Sequence, residues 1–263
     1  MGYKTTILPV DSNGIVSSNS LKAVISQNTA IASVMLANNE IGTIEPIQEL
    51  ACITHYAGAV FHTDAVQAVG HIPVNVNELQ ADMLSASAHK FNGPKGIGFL
   101  YIRSGVSILP LLDGGGQEHG IRGGTENVAG IVGMATALQE HIENLEQNTT
   151  YLQNLSSRLI MQLEQYELDF LINGSSKRIP GSLSLSFKDA DGEMLLHRLD
   201  LMGTAIATGS ACNSKETELS HVIQAIQVPH KYANGTIRIT FGIDNTVEDA
   251  DTIAEQIARI LCR

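Results

Sequence analysis

The fold of this chain is decided by residues 85–98, which read SASAHKFNGPKGIG. The residues just before this stretch are mostly apolar, and residues 99–102 after it, FLYI, are typical of a strand. Lys90 is therefore predicted to stand at the end of a buried strand, where loss of hydration favours the neutral amine. A neutral amine condenses with aldehydes, and the aldehyde that proteins most often hold in this way is pyridoxal phosphate. The alternative is a glycine-rich surface turn with two solvated lysines, Lys90 and Lys95.

Two polar residues precede the lysine. Ser87 and His89 both carry groups that hydrogen-bond to phosphate, and both lie within three residues of Lys90. They are candidates for holding the phosphate of the cofactor beside the lysine.

An aspartate follows the preceding predicted strand. Residues 60–63 form a short apolar run, and Asp64 stands just past its end, with Gln67 three residues later. An aspartate in this position points into the crevice where open α/β sheets bind ligands. There it can keep a pyridinium nitrogen protonated, which makes the cofactor ring an electron sink. The alternative for Asp64 is a helix N-cap.

Further motifs occur in order along the chain. They are residues 37–42 (ANNEIG), 62–67 (HTDAVQ), 87–96 (SAHKFNGPKG), 114–118 (GGGQE), 122–127 (RGGTEN), 209–212 (GSAC) and Arg238. With these seven segments the chain resembles the pyridoxal-phosphate-dependent cysteine desulfurases (NifS-like), whose close relatives are the selenocysteine lyases. The resemblance extends from near residue 5 to the C-terminus.

The resemblance implies an α/β protein with the pyridoxal-phosphate-dependent transferase fold (fold type I). The large domain of that fold has a mainly parallel sheet, and a smaller α+β domain follows it. Alternating strands and helices in the first half of the chain favour the same architecture. We assign residues 1–147 to the large cofactor-binding domain and residues 148–263 to the small C-terminal domain with the cysteine loop.

The resemblance also implies a role for each matching residue. The residues expected to bind the cofactor are Lys90, Asp64, Gln67, Ser87, His89, Asn39 and Thr125. Those expected to be catalytic are Lys90, Cys212 and His89, and those expected to bind the substrate are Arg238 and Asn39. Thr125 is expected to reach the cofactor of a second subunit, which implies a homodimer.

Each of these residues also has a plainer interpretation. Asn39 lies in an asparagine-rich turn, and Thr125 can simply cap the helix that follows it. Arg238 lies among apolar strand residues, where a guanidinium suits either a substrate carboxylate or a structural ion pair. Cys212 lies on a loop of small residues, which favours an accessible thiol, although most loop cysteines have no catalytic role.

The implied reaction converts L-cysteine to L-alanine. Lys90 takes the α-proton, the thiolate of Cys212 attacks the substrate sulfur, and a persulfide remains on Cys212. An acceptor protein then receives the sulfur for iron–sulfur cluster or thio-cofactor assembly.

Three other functions stay open. A selenocysteine lyase shares every residue named above, and an aminotransferase or another pyridoxal lyase shares the wider fold, although residues 209–212 argue against it. The third alternative is an inactive fragment, either a binding partner or a cloning remnant. It is suggested by the start of the chain, because the family's N-terminal segment carries a phosphate-binding turn and an aromatic residue that stacks on the cofactor, and this chain begins after both.

Composition restricts the class of protein. The 263 residues carry a formal net charge of −11, which argues against non-specific nucleic-acid binding. No apolar run approaches the length of a membrane span, and no signal-peptide pattern opens the chain. The three cysteines, Cys52, Cys212 and Cys262, are too few and too scattered for a disulfide framework or a metal site, so we expect a reducing, cytoplasmic location.

Hydrophobic periodicity and turn residues place the secondary structure. We predict strands at 4–10, 31–36, 60–63, 99–102, 170–172, 182–187, 205–208 and 237–241. We predict helices at 47–56, 128–146, 151–166, 192–202 and 247–261, and a short helix through residue 25 that is capped by Ser18 or Ser20. The strand at 182–187 alternates like a half-buried strand, and a turn is expected at residues 11–14.

Overall fold

The structure is a computed structural model that describes residues 2–209 and 219–262. These residues form two compact units. The Lys90 unit comprises Ile25–Leu36 and Ile47–Asn144, and the Arg238 unit comprises Met1–Val24, Ala37–Pro46 and Leu145–Arg263. Both units are assembled from separate stretches of the chain, whereas the predicted domains are continuous; the division at residue 147 stays a prediction.

The elements of both units are numbered in chain order. The strands are β1 (Ile31–Met35), β2 (Val60–Asp64), β3 (Met83–Ser87), β4 (Gly98–Ile102), β5 (Phe170–Ile172), β6 (Ser182–Phe187) and β7 (Thr236–Thr240). The helices are α1 (Ser18–Val24), α2 (Ile47–Tyr56), α3 (Val76–Leu79), α4 (Val128–Glu143), α5 (Leu145–Gln165), α6 (Gly192–Leu201), α7 (His221–Ala225), α8 (His230–Ala233) and α9 (Val247–Leu261).

The Lys90 unit contains a four-stranded sheet in the order β1-β2-β3-β4. β1, β2 and β3 run parallel, and β4 is antiparallel to β3. In the register of the parallel strands, Met35 pairs with Asp64 and Asp64 with Ser85. The carboxyl ends of β2 and β3 therefore lie at the same edge of the sheet.

The two faces of this sheet differ in burial. Alternate residues of β2 and β3, including Phe61, Thr63 and Leu84, are buried on one face. The residues between them, among them Asp64 and Ser85, are half-buried on the other face. Side chains at the carboxyl edge on this second face therefore keep access to solvent or to a ligand.

The Arg238 unit contains a three-stranded antiparallel sheet in the order β5-β6-β7. Its core also includes buried leucines of α5 and buried isoleucines and alanines of α9. Thr246 and Asp249 form a capping box that starts α9 where the sequence predicts it. Arg158 on α5 donates two hydrogen bonds to Asp251 on α9, at 2.5 and 2.8 Å.

Most predicted elements are confirmed to within a few residues, but two predicted strands are wrong. Residues 4–9 form no strand, and Val10 makes only an isolated bridge with Val16. Ile7 is 89% exposed, and an extended segment needs a hydrogen-bonded neighbour to become a strand. Within the described ranges, residues 205–208 likewise contribute one bridge, between Ala207 and Arg238.

The predicted burial of the strand at residues 182–187 is also wrong, because all six residues of β6 are buried. The serine face is covered and hydrogen-bonded. Asn173 donates to Ser184 at 3.1 Å and to Ser186 at 2.7 Å. Alternation between apolar and hydroxyl side chains therefore does not mark an exposed face in this strand.

The helices around residue 145 differ from the prediction in their bounds. Asn144 leaves helical geometry and separates α4 from α5, so that α5 begins six residues earlier than expected, at Leu145. The short helices α3, α7 and α8 were not predicted. Among the helices that the structure describes, none is both long enough and apolar enough to span a membrane.

A buried carboxyl group lies in the Arg238 unit. Glu45 is 8% exposed, and its carboxylate accepts a hydrogen bond of 2.9 Å from the backbone N–H of Val16. Burial raises the pKa of Glu45 from its usual 4.5 to about 7; the hydrogen bond from Val16 opposes this, and the charge of Asp11 adds to it. The folded chain therefore holds a proton on Glu45 that the unfolded chain has already lost above pH 4.5.

We expect Glu45 to make the chain less stable as the pH rises. Between about pH 4.5 and about pH 7 the folded state binds more protons than the unfolded state, so the free energy of unfolding falls, by as much as ~3 kcal/mol, and stays low above pH 7. Glu45→Gln keeps an acceptor for Val16 and should remove this loss. Urea unfolding at pH 5 and pH 8 measures the change in the free energy of unfolding, and Glu49→Gln, at an exposed position, is the control. If Glu45→Gln and the unaltered chain showed the same pH dependence, the raised pKa of Glu45 would not be its cause.

Candidate active site

Lys90 lies in a short 3-10 helix, Ala88–Phe91, that follows β3 directly. Ala88 and Phe91 are fully buried and anchor this turn, whereas Lys90 between them is half-buried. Asn92 ends the turn in the left-handed conformation, and the N–H groups of Asn92 and Gly93 both donate to the carbonyl of Ala88. None of the salt bridges within the described part of the chain involves Lys90.

Asp64 is the last residue of β2, at the carboxyl edge of the sheet. Its Oδ1 accepts a hydrogen bond of 2.9 Å from the N–H of Val66. The next residues form turns, and the helix that follows, α3, is capped by Asn75. The alternative interpretation of Asp64 as a helix N-cap is therefore wrong. Gln67 is half-buried in the same turn segment.

Ser87 and His89 contact each other beside Lys90. The Oγ of Ser87 and the Nδ1 of His89 are 2.8 Å apart, and His89 is exposed. Ser87 ends β3 two residues beyond Ser85, the register partner of Asp64. Ser87 therefore lies at the carboxyl end of β3, and His89 and Lys90 follow it directly. Asp64 lies at the carboxyl end of β2, at the same edge of the sheet.

A histidine lies on the same face of β2 as Asp64. The Nδ1 of His62 is 2.8 Å from the Oγ of Ser33 on β1. Burial lowers the pKa of His62, and the negative charge of Asp64 only partly opposes this effect. The lowered pKa favours the neutral imidazole of His62 at neutral pH.

Thr125 is exposed and does not cap α4. The N-cap is Asn127, whose side chain accepts a hydrogen bond of 3.1 Å from the N–H of Gly130. The interpretation of Thr125 as a helix cap is therefore wrong. Asn127 was missed because both residues are good N-caps and they lie two positions apart.

Asn39 and Arg238 contact each other in the Arg238 unit. The Nη1 of Arg238 donates a hydrogen bond of 2.8 Å to the backbone carbonyl of Asn39. The side chain of Asn38, not that of Asn39, accepts the hydrogen bonds of the turn, from the N–H groups of Glu40 and Ile41. None of the ion pairs among residues 2–209 and 219–262 includes Arg238, so the structural ion pair considered for it is not found there.

Cys212 lies outside the described residues, which stop at Gly209 and resume at Leu219. Within the described residues, no three His, Cys, Asp or Glu side chains come together in a way that can hold a metal ion.

One contact to the lysine turn was not predicted. The Nε2 of His71 lies 2.7 Å from the backbone carbonyl oxygen of Lys90. Burial lowers the pKa of His71; the hydrogen bond to Lys90 opposes this, and the neighbouring His141 and Lys90 add to it. No sequence pattern identifies the contact, because a single histidine 19 residues before the lysine has no characteristic spacing.

Comparison with known proteins gives consistent results. The profile of the family described as "Aminotransferase class-V" matches residues 1–253. The chain is 48% identical over 262 residues to the cysteine desulfurase IscS of Dictyoglomus turgidum (strain DSM 6724 / Z-1310), an alignment that covers 99% of this chain and 66% of that protein. The chain thus spans slightly less than two thirds of the length of this curated relative.

Solved structures share the fold. A NifS-like protein superposes with a TM-score of 0.91 at 38% identity, covering 99% of this chain and 69% of the other. A structure described as "SspA in complex with cysteine" superposes with a TM-score of 0.76 at 29% identity, covering 91% of this chain and 67% of the other. These matches confirm the predicted α/β fold class and the resemblance to NifS-like proteins, and the chain belongs to the class-V aminotransferase family.

Proposed function

We propose that this chain is part of a pyridoxal-phosphate-dependent cysteine desulfurase. The enzyme converts L-cysteine to L-alanine and leaves a persulfide on Cys212. The observation that carries the proposal is the pairing of β2 with β3, which brings the Asp64 carboxylate and the segment Ser87-Ala88-His89-Lys90 to one sheet edge. The relative at 48% identity, itself named a cysteine desulfurase, supports the same reaction.

The side chains at this edge fit pyridoxal phosphate. Lys90 supplies an amine without an ion-pair partner in the described part of the chain, and Asp64 supplies a carboxylate for the ring nitrogen. Ser87 and His89, in contact at 2.8 Å, supply donors for the phosphate. Gln67 and Asn39 are the amides assigned to the ring oxygen. When bound, the cofactor withdraws electrons from the substrate's α-carbon.

The chain's own groups then perform three tasks. Asp64 holds a proton on the ring nitrogen, which maintains the electron demand of the ring. Lys90 acts as the general base that takes the α-proton of the substrate. His89 orients the phosphate, and the amine beside it, through its contact with Ser87.

Arg238 and Asn39 are proposed to bind the substrate carboxylate. A guanidinium has five N–H donors, and the contact with the Asn39 carbonyl uses one on Nη1. The remaining donors suit a bidentate contact with a carboxylate. The same contact fixes the segment that carries the Asn39 amide.

Cys212 is proposed as the nucleophile toward sulfur. Its thiolate attacks the substrate sulfur, so that a sulfur–sulfur bond forms while the carbon–sulfur bond breaks. The electron pair of the broken bond stays with the carbon, which is then protonated and becomes the methyl group of alanine. The persulfide then passes its outer sulfur to an acceptor protein for iron–sulfur cluster or thio-cofactor assembly. The free thiols of Cys52 and Cys262 are consistent with a reducing compartment, for which we propose the cytoplasm.

We further propose that the enzyme is a homodimer in which Thr125 reaches the phosphate of the partner's cofactor. Thr125 is exposed, and the segment before it exposes Leu109 (89%) and Leu111 (93%). Exposed neighbouring leucines favour coverage by a second copy of the chain.

The cofactor site is tested by mapping the lysine adduct. Incubation with pyridoxal phosphate followed by borohydride reduction and peptide mapping should place the pyridoxyl group on Lys90, because Ser87 and His89, which precede it in the chain, supply donors for the phosphate. Lys90→Arg should abolish the adduct and the visible absorbance, whereas Lys95→Arg should keep both. An adduct on Lys95, or a colourless protein, would contradict the assignment, and a colourless protein would favour the inactive fragment.

The reaction is tested by comparing two variants. Cys212→Ala should bind cysteine but release alanine at least about a hundredfold more slowly, because the thiol that accepts sulfur is missing. Lys90→Ala should fail earlier, at exchange of the α-proton, which solvent deuterium measures; Cys52→Ala serves as the matched cysteine control. Alanine release by Cys212→Ala at the normal rate would overturn the desulfurase mechanism, and activity of Cys212→Ala on selenocysteine alone would favour a selenocysteine lyase.

The oligomeric state is tested by sedimentation at micromolar concentration. We expect a particle of twice the 28.1 kDa chain mass. Leu111→Glu should shift it toward monomer, because the substitution places a charge in the proposed apolar contact. Leu201→Glu, at a leucine that is 86% exposed in the Arg238 unit, is the control. A strictly monomeric chain would argue against a shared site.

A further inference from the structure

Two histidines connect the Lys90 turn to the segment that follows Asp64. Besides the contact between His71 and the Lys90 carbonyl, the Nδ1 of His141 on α4 lies 3.0 Å from the carbonyl oxygen of Gly70. The Nε2 of His141 lies 3.4 Å from the Nδ2 of Asn92. His71 lies only seven residues after Asp64, so the two histidines connect the segment that follows Asp64 to the Lys90 turn.

The hydrogen-bond partners determine the tautomer of each ring. A carbonyl oxygen only accepts, so His71 carries its proton on Nε2 and His141 carries its proton on Nδ1. The Nε2 of His141 is then free to accept from the amide of Asn92. Each contact uses one ring N–H as the donor, and the two rings meet edge to face at 5.5 Å.

The backbones approach closely at the same place. Gly70 has φ +82°, and a Cβ at this position would lie 2.8 Å from the Cβ of Phe91. Phe91 is fully buried and its ring lies 6.5 Å from that of His141. The Lys90 turn is therefore packed against the end of the Asp64 segment, with little room to slide.

Among the residues that the structure describes, His71 supplies the hydrogen bond to the Lys90 carbonyl. In the turn the N–H groups of Asn92 and Gly93 both donate to Ala88, and neither is directed at Lys90. A single 3-10 turn has weak internal hydrogen bonds, so its shape is determined largely by what holds its ends. Loss of the donor to this partly buried carbonyl would be unfavourable, and the turn would relax to expose it to water.

We propose that His71 is a positioning residue for Lys90. By donating to the Lys90 carbonyl, and with His141 holding Gly70, it fixes the path of the turn and hence the place from which the Lys90 amine projects relative to Asp64. The inference rests on the proposed function, since it assigns His71 a purpose only if Lys90 bonds to the cofactor.

The test compares His71→Leu, which removes the donor, with His71→Gln, whose amide N–H reaches about as far as Nε2. His230→Leu, at an exposed histidine of α8, is the control. The first readout needs no cofactor: amide hydrogen exchange of residues 88–93 should be roughly five- to tenfold faster in His71→Leu and close to the unaltered chain in His71→Gln. If His71→Leu does not fold, His71→Asn replaces it, because its shorter amide cannot reach the carbonyl.

The second readout follows Lys90 directly. The rate at which pyridoxal phosphate forms a borohydride-trappable adduct on Lys90 should fall about tenfold or more in His71→Leu, and the pH at which the visible absorbance is half-developed should shift. His71→Gln should recover both, which general loosening of the fold would not produce. An unaltered chain without any adduct on Lys90 refutes the proposed function and this inference together. If the unaltered chain forms the adduct on Lys90, two results overturn only the role of His71. One is that His71→Leu has the same amide exchange and the same rate of adduct formation as the unaltered chain. The other is that His71→Gln fails to recover them.

Discussion

The candidate site depends on the parallel pairing of β2 with β3. Because the register places Asp64 opposite Ser85, the carboxyl ends of both strands meet at one edge. A slip of β2 by one residue would turn Asp64 to the buried face of the sheet, where a carboxylate is unfavourable. The register of the β2–β3 pair therefore determines which face of the sheet carries the polar groups, and the 3-10 turn after β3 determines the position of Lys90.

Local patterns predicted much of this arrangement. An apolar run followed by Asp64, and a second followed by Ser-x-His-Lys, correctly indicated two strands whose polar ends meet. The helix α9 was predicted to the residue, because the capping residues Thr246 and Asp249 and the 3.6-residue spacing of its apolar face agree. The match of the family profile over residues 1–253 confirmed the fold that these motifs implied.

Features that depend on tertiary contacts were not predictable. Residues 4–10 have strand-like composition but no neighbouring strand, and the serines of β6 look exposed although Asn173 covers them. His71 contacts the backbone carbonyl of Lys90, and every residue type has this group. The identity of residue 90 therefore gives no indication of the contact. Between Asn127 and Thr125, composition alone could not decide which capped α4, because both side chains suit an N-cap.

The discontinuous course of the chain has a consequence for its synthesis. Thr43 accepts a hydrogen bond from Ser175, 132 residues later, and Ile44 pairs with Lys177, so residues 37–46 complete their contacts only with the second half of the chain. At roughly 5–20 residues per second, a ribosome needs on the order of ten seconds to supply those partners. Throughout that interval Ile41, which is buried in the finished protein, lies in a segment that cannot yet complete its packing. The side chain of Ile41 therefore stays exposed to water until the second half of the chain has been synthesised.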